Sequence, residues 1–375
     1  MGATLSLCMI VRDEERVLAR ALDGVSSGVD EIVIADTGSR DGTVALAKRY
    51  TDKVFDFEWC DDFAAARNFS FSKASCEFVM WLDADDIVTP ENAELLKKLK
   101  DRLETETPDT VMCRYDVAFD KKGRATYSFI RERILRREGC PPWQGCVHEC
   151  VSPFGKLMFS HFTVRHGGDP FKNKRGRNLA IYQKNVSAGV KLDPRHTFYY
   201  GRELVANGLF AEAEGVLKEA VEGEGWAVNK IEASKALADC YLSRGREEDA
   251  LNALLGSFRF GEPRASVMCK LGAVFKRRGM LKEAIYWYTA ALSAKDFSAY
   301  GDFDQPECRG MIPLVELTAC YWADGESRKS FKCHLAAEEL DPEHPSVRYN
   351  REFFKARGMY PPRCDETERP SRRAP

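Results

Sequence analysis

An α/β domain with a parallel, doubly wound sheet, followed by an all-α repeat domain, is the architecture this 375-residue sequence predicts. Three observations predict it. Short apolar runs alternate with helical patterns over the first hundred residues, and two of those runs end in aspartate, at Asp36 and Asp83. Beyond residue 200 a glycine recurs at Gly208, Gly245, Gly279 and Gly325, each followed five residues later by a small residue: Ala213, Ala250, Ala284 and Ser330. Strands covered on both faces read as continuous apolar runs. Glycine spacings of 37, 34 and 46 residues approach the roughly 34-residue period of tetratricopeptide helix pairs.

Residues 4–11 (TLSLCMIV) read as the first buried strand, with a charged turn, RDEE, and an amphipathic helix behind it. The run Ile32 to Ala35 ends in Asp36, then a glycine-containing turn leads through Asp41 and Gly42 into a helix reaching Tyr50. VFDFE is a third short strand, and residues 61–75 a helix carrying Arg67 and Asn68. The fourth strand, FVMWL, runs into Asp83, Asp85 and Asp86. Ligands of open α/β sheets gather outside the carboxyl ends of the strands, so Asp36 and Asp83 are expected to overlook one crevice. From about residue 109 the alternation stops. VMCRYDVAFD, ATYSFIRERILRR and KLMFSHFTVRH read as strands without helices between them, expected as an antiparallel flap. GGDPFKNKRGR is polar and glycine-rich, a linker by composition. The expected divisions are 1–170 for the α/β domain, 171–194 for the linker region and 195–358 for the repeats. Residues 359–375, rich in Pro, Arg and acids, are expected as a disordered tail.

Lys plus Arg number 56 against 58 for Asp plus Glu, a net charge of −2 without the footprint of nucleic-acid or membrane-surface binding. No apolar run is long enough for a transmembrane span. The start, MGATLSLCMIVRDEE, carries no basic leader, so neither a signal peptide nor myristoylation of Gly2 is expected. Thirteen cysteines, an odd number scattered from Cys8 to Cys364, fit reduced thiols and a cytoplasmic setting.

Three carboxylates crowded where a strand leaves the core repel one another unless something positive lies between them. A divalent cation, Mn2+ or Mg2+, meets that need, since such ions take oxygen ligands from one or two carboxylates and from a substrate's phosphates. A helix start at Thr89 and Pro90, where acids are also favoured, accounts for the same residues without a ligand.

The ordered set SLCMIVRDEE, EIVIADTGSRDGT and FAAARNFSFSKASCEFVMWLDADD resembles the nucleotide-binding half of family 2 glycosyltransferases of the GT-A fold, over about the first 170 residues. With the repeats behind it, the chain resembles the bacterial members of that family fused to tetratricopeptide repeats. The resemblance implies a nucleotide-sugar donor, most readily a UDP-sugar, and metal-dependent, inverting transfer. It implies that Asp36 hydrogen-bonds the nucleobase, that Arg12 and Glu14 line base and ribose, and that Arg67 lies near the phosphates. Asp83 would sit by ribose and metal, and Asp85 on the metal. His166, in VRHGG, would reach back to metal or diphosphate. In the acceptor-side loop WQGCVHE, Gly145 matches the family glycine and Glu149 stands in the place of the catalytic base.

The chemistry asks for those residue types independently. A diphosphate leaving group must be neutralised as its charge develops, and an attacking acceptor must lose a proton, here to Glu149. Trp143 offers an apolar platform for a sugar ring. Blander readings place Glu149 and His166 at strand ends, Arg67 against a helix carboxylate and Trp143 in the core. Cys140, Cys146, His148 and Cys150 lack the paired spacing of a zinc site. The acceptor is expected to be a peptide or protein side chain, favoured by the concave surface of repeat arrays, or a cell-envelope glycan or lipid intermediate. The repeats also suit a homodimer. A non-catalytic scaffold is the reading from another class. A nucleotidyltransferase is set aside because MIVRDEERV holds no glycine-rich phosphate loop, and no GxGxxG fingerprint is present.

Overall fold

The computed structural model of the chain describes residues 2–120, 123–168, 176–297, 303 and 305–360. The expected disordered tail lies, from residue 361, outside the described residues. Two compact units divide the chain: Met1–Glu262 with Asp296–Gln305, and Pro263–Lys295 with Pro306–Pro375.

The first unit opens with β1 (Leu5–Val11), α1 (Leu18–Val25), β2 (Glu31–Asp36), α2 (Thr43–Ala47), β3 (Val54–Asp56), α3 (Phe63–Ser72) and β4 (Phe78–Asp83). β1 lies between β2 and β4 and is parallel to both, with Val11 level with Asp36 and Ile10 level with Asp83. That register sets the two aspartates on either side of one strand end. A two-residue strand, β5 (Asp86–Ile87), precedes α4 (Pro90–Glu106), whose start has Thr89 as N-cap and Pro90 in its first turn, the arrangement those residue types favour. Acid-rich chain thus feeds both a sheet end and a helix start.

The strands β6 (Thr110–Phe119), β7 (Ala125–Arg136) and β8 (Leu157–His166) correct the flap expectation. They extend the same sheet, giving eight strands in the order β3-β2-β1-β4-β7-β6-β8-β5. β7 is antiparallel to β4 and β6, but β8 runs parallel to β6. A parallel partner nearly fifty residues downstream leaves no local signal, which is why pattern alone suggested an antiparallel flap. β8 then pairs with β5 in a register that puts His166 opposite Asp86.

The segment read as a linker contains a helix, α5 (Arg177–Ser187), whose Leu179, Ile181 and Tyr182 are buried. Residues 171–175 of that segment lie outside the described residues. The first unit ends with α6 (Pro194–Ala206), α7 (Phe210–Glu222), α8 (Ala227–Ser243) and α9 (Glu247–Gly256). The second holds α10 (Ala265–Arg277), α11 (Leu281–Leu292), α12 (Met311–Ala323), α13 (Ser327–Leu340) and α14 (Pro345–Lys355). The repeat glycines close the first helix of each pair in the left-handed region, with φ of 79°, 72°, 73° and 81° at Gly208, Gly245, Gly279 and Gly325. The small residues five positions on are fully buried, where helix partners cross closely. Gly245→Ala is expected to cost about 1 kcal/mol through backbone strain alone, since open space surrounds a Cβ there; urea unfolding at equilibrium reads it.

Candidate active site

Beyond the carboxyl ends of β1 and β4 lies a cavity of about 260 Å³. Ile10 and Val11 form its floor, and Arg12 and Glu14 of the β1–α1 loop one rim. That loop is braced against the β2–α2 turn: Asp13 N–H donates to Ser39 Oγ at 2.9 Å, and Arg40 N–H to Asp13 Oδ1 at 2.7 Å. Arg67, Asp83, Asp85, Glu149 and His166 also line the cavity. Seven of the residues singled out from sequence therefore meet at one place.

Two do not. Asp36 is absent from the lining, where its neighbour Thr37 appears. Asp36 Oδ2 accepts from the backbone N–H groups of Gly38 and Ser39, at 3.1 and 3.0 Å, while Oδ1 is buried without a partner among the described residues. Trp143, expected as a sugar platform, is instead 3% exposed and packed edge-on against Trp81 and Phe71. Its backbone is clamped by the Asn68 amide, which donates to Trp143 O at 3.0 Å and accepts from Trp143 N–H at 2.8 Å. Core packing claims the ring.

Arg67 is also redirected. Buried on α3, its guanidinium donates to Asp83 Oδ1 at 2.5 Å and to Glu149 Oε1 at 2.9 Å, and lies over the Trp81 and Trp143 rings. This clamp ties β4 to the loop after β7, and it commits the charge expected at the phosphates. Burial would raise the Asp83 carboxyl, but the Arg67 charge, with Arg133 beyond it, overrides that and holds its pKa down to about 2. A depressed folded-state pKa stabilises above the unfolded value and the benefit is lost as pH falls through the folded one. Because the side chain is 37% exposed, screening reduces the effect to about 1 kcal/mol. Between about pH 4 and pH 2, Asp83→Asn is expected to show a flatter loss of stability than the parent chain in urea titrations.

The acidic triplet divides its labour. Asp85 lines the cavity, and its carboxylate Oδ1 lies 3.6 Å from His166 Nδ1. Asp86 is fully buried behind it, accepting from Tyr115 Oη at 2.7 Å and pairing with the buried Arg133 at 3.3 Å. Tyr115 Oη also meets His166 Nδ1 at 3.2 Å. Asp86 and then Asp85 raise the pKa of the His166 ring against the effect of burial. Ligand atoms of Asp85, Asp86 and His166 all fall within 4.8 Å of one another, the one such group of metal-binding side chains among the described residues. Two cavity-facing groups, a carboxylate and an imidazole, suit an ion that takes its remaining oxygens from a diphosphate and water. The four residues of the cysteine-rich loop assemble no such group.

Residues 6–160 match glycosyl transferase family 2. The N-terminal domain belongs to that family. Behind this family 2 domain stand tetratricopeptide-like repeats. A TPR repeat-containing protein of Synechococcus elongatus is 43% identical over 151 residues, 40% of this chain and 36% of that one. The SPbeta prophage-derived glycosyltransferase SunS of Bacillus subtilis is 28% identical over 229 residues, 58% of this chain and 53% of that one. The chain thus spans about half the length, or less, of these relatives. Among solved structures, S. aureus TarS aligns at 14% identity with a TM-score of 0.38, over 66% of this chain and 54% of that one, too loosely to carry an argument.

Several residues that line this cavity escaped sequence reasoning. Arg177 and Asn178, from the supposed linker, line the cavity, as do Trp59, Phe63 and Arg131. The Arg177 guanidinium lies over Phe63, 4.7 Å from the ring centre, and donates to Asn178 Oδ1 at 3.3 Å. It makes no carboxylate ion pair among the described residues. Its basic, glycine-rich setting read as solvated linker.

Proposed function

We propose that the chain is a metal-dependent, inverting glycosyltransferase that moves a sugar from a nucleotide donor, a UDP-sugar, to an acceptor. The observation that carries this reading is the meeting of Asp85 and His166 at the wall of a cavity beyond the parallel strand ends. Asp85 and His166, with Asp86 behind them, would hold Mn2+ or Mg2+; when bound, that ion supplies Lewis-acid neutralisation of the leaving diphosphate. Arg177, which pairs with no carboxylate among the described residues, takes the phosphate-facing role that Arg67 gives up to its two acids. Asp36 Oδ1, buried and unsatisfied, is the acceptor for a nucleobase N–H, reached when the adjacent turn opens. Arg12 and Glu14 border base and ribose.

Inversion requires the acceptor to attack from the face opposite the diphosphate and to lose its proton there. Glu149 and its neighbour His148 are the cavity groups able to take it. A polypeptide side chain, hydroxyl or thiol, is the acceptor we favour, because repeat arrays of this kind present concave surfaces suited to peptides; a cell-envelope glycan or lipid intermediate is the alternative. No described helix is long and apolar enough to cross a membrane. A thermal-shift panel of nucleotides and UDP-sugars with and without Mn2+ tests the reading. Ligands that bind only the folded chain raise its midpoint by mass action. Stabilisation by UDP that requires Mn2+ is expected; indifference to every nucleotide would overturn it.

A further inference from the structure

Resting on that reading, we propose that the proton acceptor of the transfer step is His148, positioned by Glu203 of α6, rather than Glu149. The group-transfer site would then be completed by a helix outside the family 2 domain.

His148 occupies a distinctive place. A second cavity of about 770 Å³, with Tyr127, Phe129, Phe159 and Tyr199 among its walls, adjoins the donor cavity, and the two share His148 and Arg131. Glu149 lines only the first. An acceptor lying in the larger cavity therefore meets His148 on its way to the donor. Glu149 Oε1 is meanwhile taken by the buried Arg67.

The ring is held as a working base would be. His148 Nε2 lies 2.7 Å from Glu203 Oε1, and Asn178 Nδ2 donates to the same oxygen at 3.2 Å. With Glu203 accepting, Nε2 carries the hydrogen and Nδ1 is left as the basic nitrogen, so a carboxylate orients the imidazole as in acyl-transfer triads, with the roles of the two nitrogens exchanged. The ring stacks on Tyr199 at 4.3 Å, and its backbone oxygen accepts from Arg195 at 3.3 Å. The backbone is in the left-handed region, with φ of 53°, a conformation that persists in side-chain-bearing residues where the surroundings enforce it. Here they do: Gln144 and Cys150 exchange backbone hydrogen bonds across the loop, and Gly145 lies so close to His196 that a Cβ would fall 2.0 Å from its Nε2.

In the step, a lone pair of the acceptor oxygen or sulfur forms the bond to the anomeric carbon. The bond from that carbon to the diphosphate oxygen breaks, its electron pair leaving with the diphosphate. The acceptor's proton passes to His148 Nδ1, and the imidazolium, stabilised by Glu203, later releases it to solvent. The charged and titratable groups around the ring are Glu203, Arg195 and Tyr199 on α6, Tyr182 on α5, Arg131 on β7, and Glu149 beside it in the loop.

The test uses the full chain with Mn2+ and UDP-glucose, water serving as acceptor, and reads both UDP release across pH and the thermal shift on ligand addition. His148→Gln is expected to lower UDP release by about 100-fold or more while keeping the ligand-induced shift. Loss of the Glu203 carboxylate disfavours the imidazolium, so Glu203→Gln is expected to move the acidic limb of the rate profile to lower pH, and Glu203→Asp to restore it. Glu149→Gln keeps the limb in place. Undiminished release by His148→Gln, or an acidic limb abolished by Glu149→Gln alone, overturns the assignment. A parent chain that shows no shift with UDP-glucose and Mn2+ overturns the donor reading, and this inference with it.

Discussion

Asp85→Ala is expected to lower Mn2+-dependent UDP release from a UDP-sugar by about 10²–10³-fold, the loss seen when one preorganised electrostatic partner of a transition state is removed. The fold should survive the change. The Asp85 backbone oxygen, which accepts from Gly167 N–H at 2.9 Å and from Arg20 at 3.3 Å, is untouched by it. Asp85→Asn, of the same shape but without the charge, should behave like the alanine variant, since the charge is what an ion requires. Steady-state release with varied Mn2+ separates the outcomes. A variant that recovers full rate at high Mn2+ has lost affinity, whereas one that stays slow has lost the ion's proper placement. Unchanged release at every Mn2+ concentration would remove Asp85 from the site.

Arg133→Ala carries the largest expected effect on stability. Its guanidinium is fully buried, 3.8 Å from the Trp81 ring centre and 4.3 Å from that of Tyr115, and it pairs with the equally buried Asp86. Removing one member of a buried pair leaves a charge without compensation, at a cost of about 3–5 kcal/mol. For a unit of this size each kcal/mol lowers the midpoint by roughly 2–4 °C, so a drop of about 10 °C is expected in calorimetry. Arg133→Lys should recover part of it, keeping the charge but losing the planar stacking. Because Asp86 also receives the Tyr115 hydroxyl that touches His166, the alanine variant should bind Mn2+ more weakly too. A midpoint equal to the parent's would mean that Asp86 needs no cation.

How much could be read from the chain depended on the range over which each residue acts. β1, β2 and β4 were legible because a strand covered on both faces must be apolar throughout, and because each acid marks where the apolar run leaves the core. The repeat glycines were legible for a similar reason: only a left-handed turn and a close helix crossing ask for glycine and then a small residue at that spacing. Pattern alone did not show that Asp83 and Asp85 reach the cavity while Asp86 is buried, since that division depends on β5 pairing with β8, about eighty residues downstream; only the family resemblance separated Asp83 from Asp85. Trp143 read as a platform, but its fate was set by Trp81 and Phe71, which lie far away in sequence. Arg67 looked like a phosphate ligand because nothing local reveals that Glu149 folds back onto it. α5 and Glu203 were hidden more completely. The polar face of α5 resembles a linker, and Glu203 is one acid among many on amphipathic helices. Residues that complete a site from another element leave no local pattern to find.

The central claim is that Asp85 and His166 grip a divalent ion on which the donor's diphosphate rests. Locating Mn2+ by its anomalous scattering in crystals grown with UDP tests it most directly. The account predicts a peak roughly 2.2 Å from an Asp85 carboxylate oxygen and from a His166 ring nitrogen, with diphosphate oxygens completing the shell. A peak elsewhere, or UDP seated in another cavity with no ion beside Asp85, would contradict it.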